Sequence, residues 1–306
     1  MKFPLLILGA ILFYCCDTTL SKTDLPIMDN FSLKSHESLI RFKQDNKIEG
    51  LAFAIFNNRE TLYSEFSGNS TYNSPINEET IFSIQSISKN ITALAAMIAV
   101  QDGLLNLDTP ISSYLPSFKV NSCFDGKPEQ RITLRMLLSH TAGFTHEAPI
   151  GNNYDYKPCS KLDHFNSIME TWLKFPAGKS YSYSNLGFDL AATIIEQKSG
   201  LSFNDFLELR IFDPLEMLNS TTEDQDVVTN QNKTEGNIPW VKNKHYSIPL
   251  IGSGAVYTNL KDFITYAQLL MNFGQIERKT LIDRKYLLEM FKINTINYGL
   301  GTYIDK

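Results

Sequence analysis

Residues 86–102 read SISKNITALAAMIAVQD, and the fold prediction starts from this segment. Its Ala, Leu, Ile and Met residues occupy nearly every side of a helix, which indicates a helix that is buried all round rather than on one face. Gly103 follows directly and suits the C′ position at which helices end. We therefore predict a buried helix from Ser86 to Asp102, around which the rest of the chain packs.

Ser86 and Lys89 lie three residues apart at the start of this helix, so their side chains share one face. A serine hydroxyl becomes a good nucleophile when a base takes its proton, and a lysine can be that base only if its pKa is lowered. The apolar helix offers burial and its N-terminus offers a positive field, and both lower the pKa of an amine. Taken alone, the S-x-x-K spacing is weak, because Ser86 fits an ordinary helix N-cap equally well.

The composition of the whole chain narrows the function classes. The 306 residues carry 28 Lys and Arg against 33 Asp and Glu, and the net charge of -5 is spread without a block of like charge. This pattern argues against nucleic acid and against a polybasic membrane patch. The five His are dispersed and no C-x-x-C motif occurs, so we expect no metal and no cofactor.

The N-terminus is typical of an export signal. Lys2 precedes an apolar run from Phe3 to Tyr14, which is too short for a bilayer core that needs about 20 residues. Residues 1–20 are therefore expected to be a signal peptide, and the protein to be periplasmic, anchored to the cell envelope or extracellular. Cys15 and Cys16 stand where a bacterial lipoprotein would be acylated, so a lipid anchor stays open. A buried N-terminal strand or helix also stays open.

Export would also affect two further cysteines. In an oxidising compartment Cys123 and Cys159 would be able to pair, because they are an even count in the mature chain. Two separate thiols fit the sequence equally well.

Strand signals lie at the front of the chain and helix signals in the middle. After a polar stretch to about residue 46, Leu51–Phe56 and Thr61–Phe66 predict a hairpin that turns at Asn57-Asn58. A polar span from Thr221 to Lys244 predicts a surface excursion. Further helices are predicted at Leu134–Leu138, Phe165–Leu173, Gly187–Lys198 before Gly200, and from an Asn259 N-cap to Phe273 before Gly274. The pattern favours a two-lobed mixed fold with a helical lobe at about 104–245.

Four blocks of the sequence, in their order, resemble the serine β-lactamase and penicillin-binding-protein superfamily. The likeness is greatest to its branch of class C β-lactamases, D-Ala-D-Ala carboxypeptidases and family VIII esterases. The blocks are IFSIQSISKNITALAAMIAVQDGLLNLDTPISSYLP, ITLRMLLSHTAGF, FPAGKSYSYSNLGFDLAATIIEQKSG and SGAVYTNLKDFITYAQLLMN. The resemblance covers about residues 45–303. It implies an α+β fold in residues 21–306, with an antiparallel sheet flanked by helices plus a helical lobe.

The resemblance also implies roles for four residues. Ser86 would be the acylated nucleophile and Lys89 the group that takes its proton. Tyr183-Ser184-Asn185 matches the Tyr-x-Asn triplet of the class C branch. Tyr183 would be driven toward phenolate by the lysine cation and pass a proton to the leaving group, while Asn185 would bind the substrate amide and orient Lys89. The backbone N–H of Ser86 would form half of the oxyanion hole.

Three residues of these blocks also have plainer interpretations. Tyr183 fits a tyrosine packed in a Tyr-rich loop, and Asn185 fits a helix cap. His140 invites a Ser-His pair, but in this family its block is a structural turn, so we expect a loop histidine rather than a catalytic base.

The sequence departs from the family pattern at its third motif. The family carries Lys-Thr-Gly or His-x-Gly on an edge strand, where it supplies a second oxyanion donor and a positive charge. Lys198-Ser199-Gly200 resembles it in letters only, because it closes a predicted helix. The chain stops at residues 298–306, YGLGTYIDK, where the family continues. We therefore expect a C-terminally truncated chain that lacks sheet strands.

These observations give one leading functional expectation and one alternative. The leading expectation is an exported serine hydrolase that forms an acyl-enzyme at Ser86 on a small-molecule or peptide amide or ester. The alternative is a truncated, non-catalytic remnant or binding module of the same fold. We expect membrane contact only through an N-terminal lipid anchor, and the oligomeric state stays open.

Overall fold

A computed structural model describes residues 25–70, 73–153, 159–234, 251–277 and 279–305. The predicted signal peptide at residues 1–20, which includes Cys15 and Cys16, lies outside these ranges. The α-helices are α1 Leu25–Asn46, α2 Ser88–Gln101, α3 Leu134–Leu138, α4 Lys161–Met169, α5 Asn185–Ser199, α6 Phe203–Leu207, α7 Asp224–Val228, α8 Leu260–Met271 and α9 Arg284–Met290. The strands are β1 Gly50–Phe56, β2 Thr61–Gly68, β3 Phe82–Ser83, β4 Tyr257–Thr258, β5 Gln275–Ile276 and β6 Lys279–Thr280. Short 3-10 turns occupy Gln85–Ile87, Ile111–Ser113, Pro128–Gln130 and Asp213–Leu215, and a π turn occupies Glu208–Phe212.

The central helix α2 lies at the middle of the core, as its sequence predicts. Every residue from Ile91 to Ala99 is buried, and α5 and α9 pack against the helix. Its start differs from the prediction, because Ser86 lies in the 3-10 turn before it. The N-cap of α2 is Ile87, which makes no side-chain cap bond. The interpretation of Ser86 as a helix cap is therefore wrong.

The predicted hairpin is present as β1 and β2, which pair antiparallel from Gly50 opposite Gly68 onward. Its loop is the four residues 57–60, as the predicted strand ends imply. Asn57 closes the loop, because its Oδ1 accepts the backbone N–H groups of Arg59 and Glu60, both at 2.8 Å. Within the described ranges these two strands pair only with each other.

Helix α1 was not foreseen, because its sequence is polar and gave no helical apolar stripe. Two contacts tie it to the hairpin. Lys43 Nζ donates to Ser67 Oγ at 3.1 Å, and His36 Nδ1 lies 2.9 Å from Glu65 Oε1. These side-chain contacts with β2, and not a local apolar pattern, connect the helix to the rest of the fold.

Two middle helices lie close to their predicted positions. Helix α4 begins four residues before the predicted Phe165, because Ser160 and Asp163 form a reciprocal capping box. Helix α5 ends at Gly200, which adopts a left-handed φ of 75°. The interpretation of Lys198-Ser199-Gly200 as a helix end is therefore confirmed.

The polar span that begins at Thr221 is not simply a surface excursion in its described part. Thr221 and Lys233 are buried. Each takes part in a backbone bridge, Thr221 with Tyr257 and Lys233 with Ile81. Residues 235–250 lie outside the described ranges, so the remainder of that prediction stays untested.

Three other sequence expectations concern residues that the structure describes. Cys123 and Cys159 are not joined by a disulfide. Within the described part of the chain, no helix has the length and hydropathy that crossing a bilayer requires. In the same part, no group of three His, Cys, Asp or Glu side chains is arranged to bind a metal ion.

The N-cap of α8 yields a stability prediction. Asn259 Oδ1 accepts the backbone N–H of Asp262 at 2.8 Å, as its position in the sequence predicts. Replacing Asn259 by Ala removes this acceptor and should lower the free energy of unfolding by about 1 kcal/mol, measured by urea denaturation. Asn259→Ser keeps a cap acceptor and should retain most of the stability. An unchanged unfolding midpoint in the alanine variant would contradict the assignment.

Candidate active site

The structure brings Ser86, Lys89 and Tyr183 together at the start of α2. Lys89 Nζ donates to Ser86 Oγ at 3.1 Å, and the Tyr183 hydroxyl shares a hydrogen bond with Ser86. Lys89 Nζ lies 4.9 Å from the centroid of the Tyr183 ring. Ser86 is exposed, whereas only 2% of Lys89 is exposed. An accessible hydroxyl therefore lies between a buried amine and a phenol.

Pairing of β3 with β4 holds the turn that carries Ser86. Just after β3, Ile84 N–H donates to Val256 O at 3.0 Å. The next residue, Gln85, has a φ of 47° although it is not glycine. Such a left-handed conformation costs about 1–3 kcal/mol and is typical of functional sites. The backbone is thus locally strained directly before Ser86.

Burial lowers the pKa of Lys89 to about 8, although the carboxylates of Asp189 and Glu147 favour its charged form. The amine also donates to the backbone carbonyl of Ser253 at 2.8 Å, which fixes its position. The expectation that burial of this lysine would lower its pKa is confirmed. A measurable fraction of Lys89 is neutral near pH 7 and is able to accept a proton.

Tyr183 differs from its expected phenolate form. Burial raises the pKa of its hydroxyl, and the hydrogen bond from Ser86 opposes that shift only in part. The group is therefore a neutral phenol at neutral pH. Of the two groups, Lys89 is the one whose pKa lies closer to neutrality.

Asn185 is the first residue of α5, and its amide faces Glu147. Its Nδ2 donates to Glu147 Oε1 at 2.8 Å, so the expected contact with Lys89 is replaced by one with a carboxylate. Its Oδ1 is buried, and the described residues give it no hydrogen-bond donor. The helix cap is Ser184, so the capping interpretation of Asn185 is wrong.

His140 holds the loop that carries Tyr183. Its Nδ1 accepts the backbone N–H of Ser184 at 3.1 Å, and its ring lies 4.3 Å from the Tyr183 ring, centroid to centroid. Burial and the nearby Lys89 cation lower the pKa of His140 to about 3. A neutral imidazole whose Nδ1 is occupied fits the predicted loop histidine.

Sequence reasoning missed several side chains near this site. Glu147, Asp189 and Ser253 surround Lys89 and Asn185. Tyr303 joins the site from the C-terminal segment, where its hydroxyl lies 3.1 Å from that of Tyr181. For Asp189 a signal was available, because it follows Asn185 by four residues on one face of a predicted helix. Ser253 opens the fourth sequence block, but nothing in that block indicates a contact with Lys89. Glu147 and Tyr303 come from distant segments and carry no local pattern.

The C-terminal segment lies along the start of α2. Gly301 N–H donates to Leu138 O at 2.9 Å, and Asn90 Nδ2 donates to Thr302 Oγ1. A Cβ on Gly301 would lie 2.6 Å from Lys89 O, so this approach requires glycine. Tyr303 follows directly and is exposed beside the site.

Comparisons with known proteins agree on the family. A family model described as Beta-lactamase matches residues 37–292. The chain is 25% identical to Beta-lactamase-like protein 4 of Dictyostelium discoideum, with 98% of this chain and 57% of that protein covered. It is 26% identical to Penicillin-binding protein 4* of Bacillus subtilis (strain 168), with 74% of this chain and 53% of that protein covered. The chain thus spans about half the length of the curated relatives that it matches.

A solved structure supports the same fold. The octameric penicillin-binding protein homologue from Pyrococcus abyssi superposes with a TM-score of 0.71 at 22% identity. The alignment covers 91% of this chain and 64% of that one. The predicted β-lactamase/transpeptidase-like α+β fold is thereby confirmed.

Proposed function

The chain belongs to the β-lactamase family, and from that premise we propose that it is a serine hydrolase that forms an acyl-enzyme at Ser86. The observation that carries the proposal is the 3.1 Å hydrogen bond from Lys89 Nζ to Ser86 Oγ, with the Tyr183 hydroxyl on the same oxygen. A nucleophile within hydrogen-bond reach of a base is the arrangement that covalent catalysis needs. The proposed substrates are small-molecule or peptide amides and esters.

In the proposed acylation, neutral Lys89 takes the proton of Ser86, and Oγ bonds to the substrate carbonyl carbon. The carbonyl oxygen gains the negative charge and is stabilised by the backbone N–H of Ser86. The bond to the leaving amine or alcohol then breaks. Tyr183 passes its hydroxyl proton to that group and recovers one from Lys89. Water later hydrolyses the ester, which releases the acid and restores Ser86.

Among the proposed substrates, we expect activated esters to be hydrolysed faster than amides, because the leaving groups of activated esters depart more readily.

Substrate choice is tested by two chromogenic compounds. We expect the protein to hydrolyse p-nitrophenyl acetate faster than the β-lactam nitrocefin. Turnover of a β-lactam requires a special ability to hydrolyse its acyl-enzyme, and the sequence motifs do not indicate that ability. Initial rates with each compound at equal protein concentration give the comparison. Faster turnover of nitrocefin would overturn the preference for an ester or peptide substrate and make the protein a β-lactamase.

A pH dependence follows from the pKa of Lys89, which burial lowers to about 8. Only the neutral amine accepts the proton of Ser86, so the rate should rise as pH increases through 8. From pH 6 to pH 9 the neutral fraction grows from about 1% to about 90%, a nearly hundredfold increase. The pre-steady-state burst with p-nitrophenyl acetate measures it. A rate that is flat over this range would contradict the role of Lys89 as base.

A second candidate function is a non-catalytic binding module of the same fold. The engagement of the Asn185 amide by Glu147, rather than by Lys89, favours it. Binding without turnover would appear as an increase in the stability of the folded protein that saturates with the concentration of an ester or peptide, with no release of product. Turnover that depends on Ser86 would exclude it.

Export is also proposed, on the basis of Lys2 and the apolar run that follows it. Expression of the full chain with an epitope tag after Lys306, followed by cell fractionation, tests the proposal. The expected product lies in the envelope or the medium and has lost about 20 residues. Full-length product confined to the cytoplasm would contradict it.

A further inference from the structure

We propose that Asp189 and His164 are positioning residues for Lys89 and act on it through the turn at Gly252 and Ser253. The inference rests on the proposed role of Lys89 as the base. No motif of the four sequence blocks assigns a role to either residue. The connection is a continuous series of hydrogen bonds from α4, through α5 and the turn, to the amine.

The first contact is a buried pair between α4 and α5. His164 Nε2 lies 3.2 Å from Asp189 Oδ2, and only 3% of each side chain is exposed. The other ring nitrogen, Nδ1, lies 2.8 Å from the carbonyl oxygen of Ile150. A carboxylate and a carbonyl are both acceptors, so the ring satisfies both only when each nitrogen carries a proton. The hydrogen bonds therefore require an imidazolium, and the contact with Asp189 raises the pKa of His164 despite its burial.

The second oxygen of Asp189 fixes the turn. Oδ1 accepts the N–H groups of Gly252 at 3.2 Å and Ser253 at 3.0 Å. A Cβ on Gly252 would lie 2.1 Å from Phe188 O, so the turn sits directly against α5. Ser253 O accepts from Lys89 Nζ at 2.8 Å. One carboxylate thus holds the backbone segment that holds the amine.

The charges around the pair act on the proton affinity of Lys89 as well as on its position. The groups that face the pair are Lys89 from α2, Tyr183 before α5, and Glu147 from the 144–150 loop. The Asp189 carboxylate favours the charged form of Lys89, and an adjacent imidazolium weakens that effect. The two partners therefore act on the pKa of Lys89 in opposite senses. Removing Asp189 should lower this pKa, and removing His164 should raise it.

A purely structural role for the pair predicts a different result. Breaking a buried ion pair strongly destabilises a protein whichever partner is removed. Such a loss would lower stability in both variants without moving the titration of Lys89 in opposite directions. The sign of each shift separates the two accounts.

The test measures the titration of Lys89 directly by ¹³Cε NMR, assigned with the Lys89→Met variant, in full-length protein. Asp189→Asn keeps an acceptor for the turn but loses the charge, so the midpoint should fall by about one pH unit. His164→Asn leaves the carboxylate without its cation, so the midpoint should rise. Glu170→Gln removes an exposed carboxylate at the end of α4 and should leave the midpoint unchanged. Midpoints that stay fixed in both variants, or that move the same way, would overturn the inference.

A measurement on the unaltered protein covers the case in which a variant fails to fold. ¹⁵N NMR of the imidazole rings should show His164 with a proton on each nitrogen at pH 7. A neutral His164 ring at that pH would overturn the inference. Neither NMR experiment needs turnover, so absence of acylation in the unaltered protein would refute the proposed function and leave this inference to its own result.

Discussion

Replacing Ser86 by alanine is expected to reduce the turnover of p-nitrophenyl acetate by about 10⁴- to 10⁶-fold. The reason is that Ser86 Oγ is the atom that both Lys89 Nζ and the Tyr183 hydroxyl contact, so its loss leaves the base and the phenol with nothing to activate. Ser86 is exposed and is not a helix cap, so the variant should keep its fold. Initial rates, with circular dichroism as a check on folding, give the measurement.

The control for this variant is Ser113→Ala. Ser113 is an exposed serine at the end of a distant 3-10 turn, so its loss should leave the rate within a factor of two of the unaltered protein. A Ser86→Ala protein that keeps more than a tenth of the original rate would show that another group is the nucleophile.

Replacing Lys89 by methionine is expected to reduce the acylation rate by about 10²- to 10⁴-fold, which is the usual contribution of a general base. Methionine fills much of the same buried space without a charge, so stability should be kept or improved, because burying an amine is costly. The rise in rate through pH 8 should disappear with the amine. Burst kinetics from pH 6 to pH 9 report both effects.

The chain offers a matched control in Lys233, another buried lysine. Its Nζ donates to the carbonyl of Val228 at 3.3 Å, in the segment around α7. Lys233→Met should leave the acylation rate and its pH dependence unchanged in protein that is folded. If both lysine variants lose activity equally, the loss reflects damage to the fold rather than removal of a base.

The parts of the fold that the sequence predicts well are those with strong local patterns. Helix α2 is apolar on every side, and the helix signal is therefore independent of its partners. The hairpin of β1 and β2 has clear strand runs on either side of an Asn-Asn turn. Helix α1 has no such pattern and is held by contacts such as Lys43 with Ser67, which no local window contains. The start of α4 is predictable from the sequence, because Ser160 and Asp163 have the spacing of a capping box.

In the candidate site too, some features are predictable from the sequence and others depend on the assembled fold. Motif spacing and resemblance singled out Ser86, Lys89 and Tyr183, and the structure brings these three together. The protonation state of Tyr183 was not predictable, because its burial is a property of the assembled fold and raises the pKa of the phenol. The same limit applies to His164 and Asp189, which meet only when α4 packs beside α5.

Covalent labelling tests the claim that Ser86 is a nucleophile activated by Lys89. A fluorophosphonate probe, followed by intact mass measurement and peptide mapping, identifies the modified residue. We predict one adduct per chain, located on Ser86, which forms faster as the pH rises through 8 and is absent from Ser86→Ala. Folded protein that forms no adduct, or an adduct on any other residue, would contradict the claim.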